Sequence, residues 1–194
     1  MLQNPHFLVT ALLTAILLLA LLTAAVLHWP AFSVFDRRLQ RRLITQKKSK
    51  PLLYLSKLLS PKADVAWCFL IAACLAVSGR WQLGIWALAT LGLADVAGIL
   101  SKRFVKRRRP YNRLPEEVGY SYPSGHTLGL TCLALILLRV TAAGSWLPCL
   151  LFIIWIFLIK ARLQLGAHYP ADIAAAILLA LSSFCATSLI YLII

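Results

Sequence analysis

The chain has 194 residues, of which 61% are hydrophobic, and its 20 Lys and Arg against six Asp and Glu give a formal net charge of +14. Such apolarity excludes an ordinary soluble domain and points to a protein that lives in a bilayer. The five cysteines (Cys68, Cys74, Cys132, Cys149, Cys185) fall inside apolar stretches without CxxC spacing, so they read as small packing residues and not as a metal centre.

A hydrocarbon core about 30 Å thick requires roughly 20 apolar residues per helical span. Such stretches lie at about 7–27, 81–101, 126–143, 145–161 and 171–194, and a shorter one at 62–78 ends sharply at Gly79 and Arg80. The leader Met1–His6 carries no Lys or Arg, and the apolar stretch behind it is too long for a signal-peptide core, so the first span is expected to be retained. No linker, repeat or low-complexity segment divides the chain. The expectation is a single all-α domain over residues 1–194, a polytopic membrane protein with a six-transmembrane-helix bundle. These runs are too uniformly apolar for barrel strands, which alternate at period two.

The connection after the first span, residues 32–60, reads as an interfacial amphipathic segment. Phe35, Leu39 and Leu43 recur at helical spacing while Arg37, Arg38, Arg41 and Arg42 point elsewhere, and a second short piece, Leu52–Leu59, follows Pro51. One reading is a solvated loop whose charges hold topology. The other is a basic collar for anionic lipid headgroups, each cation near the surface contributing on the order of 1 kcal/mol.

A six-span path places 18 of the 20 cations on one membrane side and leaves only Arg80 and Arg139 on the other. Three motif segments share the crowded side. The first, Lys102–Pro110, brackets a basic run between Lys102 and Arg109, with Pro110 stopping helix continuation after the third long span. Arg109 offers a planar fork for two phosphate oxygens and Lys102 a mobile point charge. Alone, such a run is an ordinary topology anchor.

The second segment, Pro123-Ser124-Gly125-His126, precedes an apolar helix, whose first-turn N–H groups and positive dipole end bind anions. Gly125 lets a phosphate approach the backbone; Ser124 alone is equally an N-cap. In the third segment Arg162 closes a span, His168 follows, and Pro170 starts the last helix with Asp172 in its first turn. A carboxylate four residues after a His can accept a hydrogen bond from one ring nitrogen and leave the other with its lone pair toward substrate. Ionisable residues at membrane depth are functional candidates by default. Asp95, seven residues before Lys102, shares nearly its helix face and reads as a polar pairing inside the bundle; Tyr111, Tyr120 and Tyr122 read as interfacial aromatic anchors.

Cations, backbone donors and a His–Asp pair are what phosphoryl transfer needs, since the charge of the transferring group spreads over its equatorial oxygens. Taken together the segments resemble the type 2 phosphatidic acid phosphatase superfamily. That pattern is Lys, six residues, Arg-Pro; Pro-Ser-Gly-His; and Ser-Arg, five residues, His, three residues, Asp. The one departure is Ala161 in place of Ser, which removes a hydrogen bond of about 0.5–1.5 kcal/mol and leaves every charged position intact.

The resemblance implies metal-independent hydrolysis of a membrane lipid phosphate or pyrophosphate, of phosphatidylglycerophosphate, phosphatidic acid or undecaprenyl pyrophosphate type, with no cofactor. In the roles it implies, His168 is the nucleophile that becomes phosphohistidine, Asp172 orients and stabilises its ring, and His126 is the general acid. Lys102, Arg109, Ser124, Gly125 and Arg162 hold the phosphate. The implied partners are the lipid substrate and anionic headgroups, not nucleic acid; oligomeric state is left open. A lipid-to-lipid phosphotransferase shares the first step, and a non-catalytic lipid-binding member is the alternative from another class. Vanadium haloperoxidases share the anion site but look soluble. The distribution of Lys and Arg places the motif side in the cytoplasm, whereas the resemblance to small bacterial lipid phosphatases of the plasma membrane implies an extracytoplasmic site. The resemblance is followed here.

Overall fold

The structure, a computed structural model, describes residues 4–44, 50–111, 118–141 and 146–193. Lys47, Lys48 and Arg113, counted above among the cations of the motif side, lie outside these. Among the described residues all regular structure is helical: α1 Pro5–His28, α2 Pro30–Leu43, α3 Lys50–Leu58, α4 Pro61–Val77, α5 Trp81–Val105, α6 Gly125–Val140, α7 Leu147–Gln164 and α8 Pro170–Ile193.

Each expected apolar stretch carries a helix. Four of them, α1, α5, α7 and α8, are long and apolar enough to cross a membrane, and α6 is a shorter apolar helix of 16 residues. Helix starts are written locally. Proline occupies the first turn of α1, α2, α4 and α7, where a missing N–H costs nothing. Asn4, Ser60 and Ser124 cap α1, α4 and α6 with side-chain oxygens.

Helix α8 lies at the centre, packed on α1, α5 and α6. Its buried residues with those of α5 and α6 form the main core, where Trp86 meets Phe184 edge-on with ring centroids 5.5 Å apart. Polar pairs lock neighbours: Thr90 with Thr187 at 2.7 Å joins α5 to α8, and Trp155 Nε1 donates to Thr131 Oγ1 at 2.9 Å, joining α7 to α6. Cys68, Cys132 and Cys185 are buried, while Cys74 and Cys149 are exposed.

The ends of the bundle differ in chemistry. At one end Arg139 stacks over Trp86 and Tyr191, and Arg80 donates to the Val140 carbonyl. At the other, the C-termini of α1, α5 and α7 meet the N-termini of α4, α6 and α8, with α2 packed against α8 and α7. Helix α2 is inverted relative to a soluble amphipathic helix: Asp36 and Gln40, one turn apart, are buried, whereas Phe35 and Leu43 are exposed.

Candidate active site

The three motif segments converge at the second end. Helix α5 stops at Lys106, whose left-handed backbone (φ 50°) turns the chain out of the helix, and Arg107–Pro110 continue without regular structure. That turn sends Arg109 across to the loop between α7 and α8. Its Nη1 donates to the Ala167 carbonyl at 3.0 Å and its Nε to the Gly119 carbonyl at 3.2 Å. Fixed by two carbonyls, Nη1 stands 3.3 Å from His168 Nε2.

His168 is buried, and its Nδ1 lies 2.9 Å from the carbonyl oxygen of Ser121. A carbonyl only accepts, so Nδ1 carries the hydrogen and Nε2 keeps its lone pair toward Arg109. The sequence reading gave this orienting bond to Asp172. Asp172 Oδ2 is instead 3.6 Å from Nδ1, beyond hydrogen-bond length but within reach of charge. Burial first, then the positive charges of Arg162 and Arg109, hold the imidazole below its usual value of 6.5 against the opposite pull of Asp172.

The Asp172 carboxylate is fully buried, and each of its oxygens accepts a hydrogen bond. Oδ2 accepts the Tyr169 N–H at 2.9 Å and Oδ1 accepts Arg107 Nη1 at 2.7 Å. Ser124 connects the second motif to the same turn: its N–H donates to the Asp172 carbonyl at 3.1 Å, while its Oγ accepts from Thr127, capping α6. His126 follows in the first turn of α6, half-buried.

Lys102 and Gly125 meet in a cavity of about 270 Å³ between α4, α5 and α6, lined also by Asp95, Lys62 and Pro123. A Cβ built on Gly125 would lie 3.7 Å from Lys102 Nζ, in ordinary contact, so the lysine ammonium stands beside the start of α6. Arg162 is buried under α3, where Nη1 donates to Ser56 Oγ at 2.6 Å. Ala161 is fully enclosed. Tyr111 and Tyr120 are exposed; Tyr122 is instead a buried residue whose hydroxyl pairs with Thr23 Oγ1 at 2.7 Å.

Four contributors escaped the sequence reading: Ser121 and Ser56, which act through a carbonyl and a hydroxyl, and Asp36 and Arg107. Only Asp36 carried a signal, as the one acidic residue among nine cations in the connection from His28 to Lys62.

Residues 83–193, more than half of the chain, match the PAP2 superfamily, and all three motif segments lie inside that range. The chain belongs to the PAP2 superfamily. It is 31% identical over 124 residues to an undecaprenyl-diphosphatase of Sulfolobus acidocaldarius, covering 60% of this chain and 59% of that protein. To a decaprenylphosphoryl-5-phosphoribose phosphatase of Mycobacterium tuberculosis it is 33% identical over 101 residues, 48% of this chain and 54% of that one. The chain thus spans between half and two thirds of the length of these curated relatives. In fold it is similar to the PAP2-type phosphatidylglycerolphosphate phosphatase of Bacillus subtilis, with a TM-score of 0.80 over 91% of this chain and 93% of that one at 19% identity. With four helices able to cross a bilayer, this PAP2 chain is an integral membrane protein.

Proposed function

We propose that this PAP2 protein hydrolyses a membrane lipid phosphate or pyrophosphate through a phosphohistidine on His168, without a metal ion. One observation carries the reading: a buried imidazole whose Nδ1–H is held by the Ser121 carbonyl, with Nε2 3.3 Å from the Arg109 guanidinium. That pairs a nucleophile with a donor for the equatorial oxygens of the phosphorus it attacks.

In the first step the Nε2 lone pair forms the N–P bond as the P–O bond to the lipid breaks. His126 gives its proton to the departing oxygen, and Asp172, with Oδ2 nearest to Nδ1, stabilises the cationic ring. In the second step water attacks phosphorus, His126 takes the proton, the N–P bond breaks and phosphate leaves. Lys102, Arg109, Arg162, the Ser124 hydroxyl and the Gly125 backbone N–H hold the oxygens, the three cations supplying the positive charge that a metal ion supplies in other phosphatases.

Both curated relatives are named for polyprenyl substrates, which favours a polyprenyl pyrophosphate or phosphate over phosphatidylglycerophosphate or phosphatidic acid. In this reading residues 1–194 form one domain, α1 and α4–α8 are six spans, and α2 and α3 lie in the interface with their arginines on anionic headgroups. The site faces the extracytoplasmic side of the cell membrane.

Phosphate release by purified protein from polyprenyl and glycerolipid phosphates, with EDTA, alongside His168→Ala, tests the chemistry. Equal release by the variant removes the nucleophile assignment, and loss of activity with EDTA removes the metal-free claim. Impermeant thiol labelling of single cysteines at Tyr111 and at Arg80, with the native cysteines replaced, tests orientation. Labelling of position 111 from the cytoplasm alone reverses it.

A further inference from the structure

Asp36 is buried at 3% exposure on α2, although the neighbouring Arg37, Arg38, Arg41 and Arg42 are exposed. Its Oδ2 accepts Arg107 Nη2 at 2.6 Å, and its Oδ1 accepts the backbone N–H of Ala171 at 3.1 Å. The second contact is a cap supplied from outside: Ala171 lies in the first turn of α8, where N–H groups lack partners within the helix. Arg107 uses its other terminal nitrogen on Asp172 Oδ1 at 2.7 Å, and its guanidinium lies over the Tyr169 ring, 4.1 Å from the centroid.

One planar cation therefore spans two carboxylates from distant parts of the chain, one on the amphipathic helix and one beside His168. The fork geometry matters, because a lysine ammonium cannot direct two diverging donors in one plane. The charges are also ordered. Arg107 alone beside Asp172 offsets the negative charge that a cationic His168 ring needs; Asp36 returns part of it by engaging the far side of the same guanidinium.

We infer that Asp36 is a positioning residue for the reaction at His168, acting through Arg107 on the orientation and effective charge of Asp172. The inference rests on the phosphohistidine reading above. Helix α2 thereby does more than rest on the membrane surface: it supplies the outer carboxylate of an Asp36–Arg107–Asp172 chain that ends 3.6 Å from His168 Nδ1. Since the hydrogen bonds of Asp36 go to Arg107 and Ala171, neither of which is assigned to the phosphate, its removal is expected to leave substrate capture nearly intact and slow the chemical step.

The test is steady-state phosphate release from undecaprenyl pyrophosphate in proteoliposomes by Asp36→Asn, Asp36→Glu, Arg107→Gln and the Asp36→Asn/Arg107→Gln double variant, with His168→Ala as reference. Asp36→Asn is expected to lower kcat about 10- to 100-fold, by analogy with loss of the outer hydrogen-bond partner of a metal-ligating side chain, with KM changed less than about threefold. Asp36→Glu is expected to recover part of the loss, and the double variant to be no slower than Arg107→Gln alone, because both act along one chain. A kcat for Asp36→Asn within about twofold of wild type, beside an inactive His168→Ala, overturns the inference and leaves the nucleophile reading standing. Wild-type release by His168→Ala overturns both. If Asp36→Asn does not fold, Arg107→Gln decides: because Asp36 acts only through Arg107, an unchanged kcat overturns the inference, and a lowered kcat at constant KM supports it.

Discussion

His168 donates its Nδ1 hydrogen to the Ser121 carbonyl across 2.9 Å, so the tautomer is fixed by the backbone of the segment that enters α6. The ring is thus poised neutral, with its imidazole held below 6.5 chiefly by burial. An attacking ring must be unprotonated, and a lowered value keeps it so into mildly acid solution. The acid-side fall in kcat/KM is therefore expected below pH 6.5, and a fall centred above that value contradicts the arrangement. Stability carries the same sign: below 6.5 the unfolded chain binds a proton that the folded chain refuses, so thermal stability declines as pH drops from 6.5 toward the lowered value.

Arg109 is anchored by two carbonyls, Gly119 on Nε and Ala167 on Nη1, before any substrate arrives. Arg109→Lys keeps the charge but has one nitrogen, so it cannot hold both anchors and present a donor beside Nε2. A loss in kcat of about 10²- to 10³-fold is expected, comparable to deleting a preorganised oxyanion donor. Recovery of wild-type kcat by Arg109→Lys in a phosphate-release assay would show that charge alone suffices.

Within the bundle, Asp64 of α4 is fully buried, and neither carboxylate oxygen has a hydrogen-bond partner among the described residues. It abuts Gly129 of α6, where an added Cβ would run into the carboxylate. Gly129→Ala is expected to lower stability by about 1–3 kcal/mol, as overpacking does, despite the better helix propensity of alanine. In an Asp64→Ala background the same change is expected to be neutral or stabilising. Thermal unfolding in detergent of the four proteins reads the coupling; an equal loss in both backgrounds means that the pair does not clash.

The sequence disclosed what depends on composition and local spacing. Apolar runs located the helices, and Pro and Ser placed their starts, because both signals act within a few residues. Lys102, Arg109, His168 and Asp172 were singled out by their spacing and the resemblance it carries, and the structure brings Arg109, His168 and Asp172 together. Asp36 and Arg107 were not. Arg107 sits in a run with Lys106, Arg108 and Arg109, and only the left-handed turn at Lys106 decides which cation faces inward. Asp36 meets its partners across 71 and 135 residues of chain, a pairing set by how α2 folds back over the start of α8. The Ser121 carbonyl is a backbone group, and no side-chain pattern announces it.

In the proposed reading Gly125 lets the phosphate approach the backbone, and its surroundings separate a packing role from a binding role. A Cβ there meets Pro61 Cγ at 3.3 Å and Lys102 Nζ at 3.7 Å, so the methyl fits if the proline ring gives by a few tenths of an ångström. Gly125→Ala is therefore expected to fold, with its melting temperature within a few degrees of wild type, since alanine also suits a helix start better than it disrupts the packing. The same methyl occupies the approach between Lys102 and the first-turn N–H groups of α6, which a phosphate must share. Substrate binding is expected to weaken by about 1–3 kcal/mol, roughly 5- to 150-fold in kcat/KM, as when an anion loses contact with a backbone donor. Measured together, an unchanged melting temperature with a large loss in kcat/KM assigns Gly125 to the phosphate, whereas parallel losses in both assign it to the contact with α4.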